Sequence, residues 1–210
     1  MSCDKPALAP LVSLRRVAAD SSEIAHLYSI LVACGLDMEA RLGLRHWAPP
    51  YPLADMVAHA AERSLWAVEV AARSAPGASG AGAAAVDDAA ARTVVGTVTT
   101  GFVCNVPYLL SLAAENKSLW ADAGARAIYV GKLAVEPSLQ GRGLGAAALA
   151  AVESQARAEG AQALRLDALR DVPNLPRFYK AAGFDWRAQV TATDAHGVEH
   201  ILDVWEKVLL

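Results

Sequence analysis

Three glycines stand at alternate positions, Gly141, Gly143 and Gly145, after a segment stopped by Pro137 and directly before the alanines that begin at Ala146. No other feature restricts the fold of this chain as much. Glycines so spaced leave a backbone bare of Cβ atoms where a helix begins. A helix start presents amides without intrahelical acceptors and the positive end of the dipole, a combination suited to a phosphate group. Two motifs share these residues. Gly141-Arg142-Gly143-Leu144-Gly145-Ala146 satisfies G-x-G-x-x-A, the dinucleotide loop, whereas Gln140 opens Q-x-x-G-x-G, a pyrophosphate loop of a different kind. A tight turn into an alanine-rich helix would use the same residues, so the surrounding elements must decide.

Leu11–Asp20 reads as a strand ending at a helix cap, and Ile24, Leu27, Tyr28 and Leu31 then recur on one face of a helix. Gly43–Pro52 is a proline-stiffened loop, followed by helical spacing through Leu53, Met56 and Val57. Ser64–Ala72 alternates as a strand, and the β-branched run Thr93–Val103 is another. Between them, Arg73–Arg92 is rich in alanine, glycine and serine without a periodic face of large apolar residues. That predicts a flexible insertion at about 73–92, not a domain boundary. Asn105–Ala125 is irregular, with a short helix within Pro107–Trp120. Ala127–Val135 and Ala163–Leu169 are strands on either side of the glycine loop and its helix, which Gly160 closes. Asn174–Phe184 is a short helix ended by Gly183, and the last two strands form an antiparallel hairpin around Ala195–His200. The sum is an α/β (α+β) chain, a mixed and largely antiparallel sheet of about six or seven strands flanked by about four helices.

At 210 residues the whole chain, 1–210, fits one domain with a substantial core. The net charge of −3 gives no general drive towards nucleic acid or an acidic membrane, and no basic stripe is interleaved with aromatics. Cys3, Cys34 and Cys104 are odd in number and far apart, as expected of reduced thiols. His46, His59, His196 and His200 do not cluster in sequence, so no metal is expected. The first residues lack the basic and apolar regions of a secretory signal, and no apolar run is long enough to span a bilayer. A cytoplasmic location is the expectation.

A dinucleotide loop finds one point of support, an acidic residue, Asp167, about 20 residues beyond the glycines at the next strand. Three points oppose it. Glu136-Pro137-Ser138-Leu139-Gln140 separates the strand from the glycines, four predicted strands precede the loop, and too little chain follows it for a doubly wound sheet. A dinucleotide-dependent oxidoreductase is therefore the minor alternative.

The segments LAVEPSLQGRGLGAAAL and LRLDALRDVPNLPRFYKAAGF, in this order and at this separation, resemble the GNAT superfamily of acyl-CoA-dependent N-acetyltransferases over about Ala127–Phe184. The resemblance implies a strand that splays from its neighbour, with the backbone of Leu133, Ala134 and Val135 bonding the pantetheine arm of acetyl-CoA. It implies a pyrophosphate cradle of Gln140, Gly141, Arg142, Gly143, Leu144, Gly145 and Ala146, with Arg142 adding a charge-assisted contact. Tyr179 matches the tyrosine beside the cofactor sulfur. The implied reaction is direct attack of a neutral amine on the thioester, with a backbone amide near Val135 steadying the oxyanion and Tyr179 protonating the thiolate. A phenol near pKa ~10 and a thiol near ~8.5 are close enough for that exchange.

The sequence departs from the family in two places. Where many members carry an asparagine ahead of this tyrosine, Val172 stands here, leaving Asn174 as the candidate cofactor contact or simply the helix cap. The family's strand glutamate, expected near Tyr129, is absent, which keeps open a non-catalytic acyl-CoA-binding module as the alternative. Glu69, Glu136 and Asp167 are the candidate bases, each equally readable as a structural carboxylate. The loop HWAPPYP resembles one that lines the acceptor cleft in a branch of the superfamily, so Trp47 and Tyr51 are candidate substrate contacts. The expected partner is a small-molecule or peptide amine, and homodimers are frequent in the family.

Overall fold

The computed structural model describes residues 11–45, 47, 51–71, 92–104, 106–193 and 197–209. The insertion expected at 73–92 lies outside the described residues except for Arg92, as do His46 and His196. Seven strands form one sheet: β1 (Val12–Arg16), β2 (Leu65–Ala71), β3 (Arg92–Gly101), β4 (Ala127–Val135), β5 (Ala163–Leu169), β6 (Asp185–Thr193) and β7 (Glu199–Val208). Their spatial order is β1-β2-β3-β4-β5-β7-β6, and only the β4–β5 pair is parallel. A doubly wound dinucleotide fold requires a largely parallel sheet, so this topology overturns the dinucleotide alternative. The described residues hold five α-helices: α1 (Ile24–Leu42), α2 (Leu53–Ala61), α3 (Pro107–Glu115), α4 (Leu144–Ala158) and α5 (Leu175–Ala181).

The alternation of the strands distributes the helices. Along β2, Trp66 and Val68 join the core under α4 and α5, while Leu65 and Ala67 join the core under α1 and α2. Along β7, Trp205 belongs to the α4–α5 side and Val204 to a third cluster with Leu109 of α3 and Trp120. A slip of one residue would exchange these faces, so the period of two fixes the register. Each fully buried Leu or Val contributes about 1.5–3 kcal/mol relative to exposure. α1 runs well past its apolar opening because Ile30, Cys34 and Gly35 continue the buried stripe, and Gly43 ends it in the left-handed region at φ 68°.

α3 is short, so the segment after it is tied down by a buried ion pair. Arg165 of β5 donates from Nε to Glu206 of β7 at 3.0 Å and from Nη2 to the Asp122 carbonyl at 2.7 Å, and its guanidinium lies 4.4 Å over the Trp120 ring. The other Glu206 oxygen accepts from the Ala121 amide at 2.7 Å. Every strong donor and acceptor here is matched, which is the condition for burying such charges. The result is a gap on one face of the sheet, between α2 and α3, over β4.

Candidate active site

β4 is irregular at its centre. Ala134 pairs with Thr97 and Gly131 with Thr99, so β4 spends one residue more than β3 across this interval. The extra residue is accommodated at Lys132, whose φ of 48° lies in the left-handed region. Gly96 makes room on the neighbouring strand β3, where a Cβ would run into the Ala134 carbonyl. β4 and β5 pair only at Ala127–Tyr129 with Ala163–Arg165. Beyond that point the two parallel strands part and leave a cavity of about 230 Å³ lined by Val130–Val135, Leu166–Leu169, Gln140 and Tyr179. The splay implied by the family resemblance is present, and the bulge is its local cause.

At the open end of this cleft a single 3-10 turn, Pro137–Leu139, separates β4 from the glycines. Gly141 and Gly143 have φ of 75° and 79°, and a Cβ on either would point into open space. Gly143 occupies the N-cap of α4 without a side-chain cap, so the amides of its first turn are left for an outside acceptor. Gly145 is different: a Cβ there would make an ordinary contact with Phe178 at 3.6 Å. Arg142 is exposed and donates to the Ser138 carbonyl at 3.3 Å, close enough to the turn to swing to an anion. Gln140 donates from Nε2 to the Val135 carbonyl at 3.0 Å, as does the Cys34 thiol at 3.3 Å, which pins the strand end to α1. Burial first, then Asp37, pushes the Cys34 thiol up to about 11. These features fit a diphosphate at the turn and an extended chain along β4.

Tyr179 lies on α5, 8% exposed, within an aromatic cluster whose ring centroids are 5.1 Å (Phe178), 5.9 Å (Phe184) and 5.9 Å (Trp205) away. Its hydroxyl finds no hydrogen-bond partner among the described residues. Burial first, then Asp167, raises its pKa, so the phenol stays protonated at neutral pH. Asn174 stands at the N-cap of α5, exposed, without a side-chain cap bond and off the cleft lining; Val172 and Leu175 line it instead.

A second cavity, of about 920 Å³, occupies the gap between α2 and α3 and shares Val130–Lys132, Leu166 and Asp167 with the first. Asp167 accepts from the Tyr108 hydroxyl at 3.0 Å. Burial raises its pKa, against the opposing hydrogen bond from Tyr108 and the charge of Lys132. On the other wall Lys132 Nζ lies 3.1 Å from His59 Nε2 and 4.6 Å from the centre of the Tyr51 ring. The tautomer of His59 follows from its neighbours. Ser64 gives its one hydroxyl proton to the His59 carbonyl at 3.0 Å, so its oxygen accepts from Nδ1–H at 2.9 Å. Nε2 is then an acceptor facing the lysine. Burial first, then Lys132, lowers the His59 pKa; burial likewise lowers that of Lys132.

Of the candidate bases, Glu69 is buried in an ion pair with Arg15 at 2.6 Å, and Glu136 accepts from the Ser138 hydroxyl at 3.1 Å away from both cavities. Only Asp167 reaches the junction of the two cavities. Trp47 lines the smaller cavity and is seated on α1 because Gly35 has no Cβ to meet its carbonyl. Lys132, His59 and Tyr108 escaped the sequence reading. A lysine inside an otherwise apolar strand was the signal for the first; nothing local marked the others. Among the described residues no three His, Cys, Asp or Glu side chains gather as a metal site, and no helix is long and apolar enough to cross a membrane.

Known proteins share this fold. Solved structures with the same fold include a GNAT-family acetyltransferase from Streptococcus agalactiae, at TM-score 0.61 and 12% identity over 95% of this chain and 96% of that one. A Salmonella typhimurium protein assigned to the acetyltransferases and solved with its cofactor acetyl-CoA aligns at TM-score 0.58 and 15% identity, covering 95% and 94%. The ribosomal-protein-S18-alanine N-acetyltransferase of Escherichia coli aligns at TM-score 0.55 and 14% identity, covering 94% and 93%. No curated protein sequence matches the chain. The model of the acetyltransferase (GNAT) family matches residues 45–184, a span that contains the glycine turn, the splayed strands and Tyr179. The chain belongs to the GNAT family of acetyltransferases.

Proposed function

We propose that this acetyltransferase moves an acetyl group from acetyl-CoA to a primary amine of a small molecule or peptide, by direct attack and with Tyr179 as general acid. The observation that carries the reading is the buried, unpartnered hydroxyl of Tyr179 on a cleft that opens through shared walls into the larger cavity. Acetyl-CoA supplies the electrophilic thioester carbonyl. The first-turn amides of α4, with Gln140–Ala146, hold its diphosphate, and the backbone of Leu133, Ala134 and Val135 orders the pantetheine arm. Asn174, the other candidate for the cofactor, stands exposed at the N-cap of α5, where it can meet only a part of acetyl-CoA that lies outside the cavity.

The amine enters from the larger cavity, with Asp167 taking its excess proton directly or through water. Nitrogen bonds to the carbonyl carbon, the carbon–sulfur bond breaks, and the electron pair leaves on sulfur as a thiolate. Tyr179 gives that thiolate its proton, the second proton leaves the new amide nitrogen to water, and water restores the phenol. Burial raises the phenol pKa, and the same dry surroundings raise the basicity of the thiolate, so the match between them is kept. The ladder disturbed at Lys132 and Leu133 provides backbone N–H groups outside regular pairing, the place for an oxyanion donor.

The test is thiol release from acetyl-CoA against amino acids, polyamines, aminosugars and peptides. Acetyl-CoA raising the melting temperature without thiol release from any acceptor would leave a non-catalytic acyl-CoA-binding module. A melting temperature that acetyl-CoA leaves unmoved would overturn the donor site itself.

A further inference from the structure

The larger cavity holds an unusual pair. Among the described residues, two non-glycine residues have left-handed backbone, Arg63 at φ 59° and Lys132 at φ 48°. Both are basic and both line this cavity. Side-chain-bearing residues adopt that region at a cost that glycine avoids. Strain of this kind is retained where the side chain it presents has a use. The two positions arise separately, one in the turn from α2 to β2 and the other at the bulge of β4, yet both line the same cavity.

Neither cation is neutralised. The exposed Arg63 donates from its backbone to the Ala60 carbonyl at 3.0 Å, but its guanidinium has no hydrogen-bond or ion-pair partner among the described residues. Lys132 is half-buried, gives one hydrogen bond to His59 Nε2, and has no carboxylate within ion-pair distance; Asp55 and Asp167 act on it only from farther away. The Tyr51 ring, 4.6 Å from Nζ, shares the charge, and among the described residues no oxygen accepts from the other N–H groups. By contrast Arg16 and Arg165 on the same cavity are paired with Glu159 at 2.9 Å and Glu206 at 3.0 Å. Arg63 is exposed and partly offset by solvent, whereas Lys132, held in partial burial, gains from any counter-charge that a ligand brings. Glu62 stands exposed on the rim, and Asp167 is the carboxylate at the back, beside the thioester end.

We infer that the acceptor is a zwitterion, an amine bearing an oxyanion such as the carboxylate of an amino acid, with its anion held by Lys132 and Arg63 and its ammonium directed to Asp167. This rests on the proposed acetyl transfer and adds the class of amine. Polycations and neutral amines lack the group that these two side chains receive.

Matched acceptors test it: each amino acid against its carboxamide, phosphoethanolamine against ethanolamine, with spermidine and kanamycin as cationic members. The carboxylate of at least one amino acid should raise kcat/KM about tenfold or more over its amide, the scale of a lost charged hydrogen bond. A preference for phosphoethanolamine alone would place the oxyanion on phosphorus and still support the cationic pair. Arg63→Gly and Lys132→Gly both relieve a left-handed backbone and so should fold. Each should erase the preference through a higher KM for the anionic acceptor, and Arg63→Gly should leave the acetyl-CoA thermal shift intact. Equal or better use of amides, spermidine or kanamycin would overturn the inference, as would a preference that survives both substitutions. Binding of acetyl-CoA with no turnover of any member would overturn it too. Failure to bind acetyl-CoA would strike the proposed function instead.

Discussion

The two cavities meet at β4 but are built in different ways. The smaller one is made of backbone: two left-handed glycines, a helix start and a strand parted from its neighbour. Leu133–Val135 and Gln140 line it, and the glycine turn that follows them in the chain stands at its open end. The larger one is made of side chains drawn from α2, the turn before β2, β3, α3, β4 and β5. A site of backbone groups tolerates wide change elsewhere in the sequence, so its recognition is shared widely. A site of converging side chains can be altered one residue at a time, and it sets which molecule is accepted.

This contrast can be broken most forcefully at Tyr179, the side chain proposed above as the general acid. Tyr179→Phe should lower kcat by about 10²-fold or more, the range of general acid catalysis, with the KM for acetyl-CoA nearly unchanged. A fall of less than about threefold in steady-state turnover would remove the phenol from the reaction. Next in size is Gly143→Val, which places a β-branched residue at φ 79° in the turn. The strain of about 1–3 kcal/mol should weaken acetyl-CoA binding by about tenfold to a hundredfold in calorimetry. Unchanged affinity would mean that the turn does not hold the diphosphate.

Asp167→Asn addresses the junction of the two cavities and should cost about tenfold in kcat/KM near neutral pH. The wild-type rate depends on ionised Asp167, so it should fall as pH drops through a value above the ordinary carboxylate range of about 4. Tyr108 and Lys132 face this carboxylate and limit the rise. The Asn variant should lose that acid limb; a profile of unchanged shape would assign the proton to another acceptor. The smallest effect concerns Cys34. With its thiol pushed up to about 11, iodoacetamide should label it slowly at neutral pH and faster only as pH approaches that value. Rapid labelling at neutral pH, read by peptide mapping, would show that the wall between α1 and Val135 is open.

Much of the smaller cavity was legible because it is local. The glycine spacing, the strand before it and the tyrosine after it lie within one stretch, and the helix and strand periods there match the observed limits of β4 and β5 residue for residue. Asn174 shows the limit of that legibility. Its position one residue ahead of the helix was foreseen, but whether its side chain turns towards the cleft depends on how α5 leans on β6, and it does not line the cleft. The larger cavity was hardly legible. Tyr108 and Asp167 are 59 positions apart, and Lys132 and His59 are 73 apart. Local periodicity carries no information about such meetings.

The sequence by itself determined the order of strands and helices and the existence of a glycine turn at a helix start, because glycine, proline and the two hydrophobic periods act on the chain within a few residues. Only the tertiary structure decided which carboxylate reaches the junction of the two cavities and which cations line the larger one without a carboxylate partner. Those outcomes depend on a one-residue bulge in β4 and on the gap between α2 and α3, where desolvation and pairing between distant segments set the charge of each group.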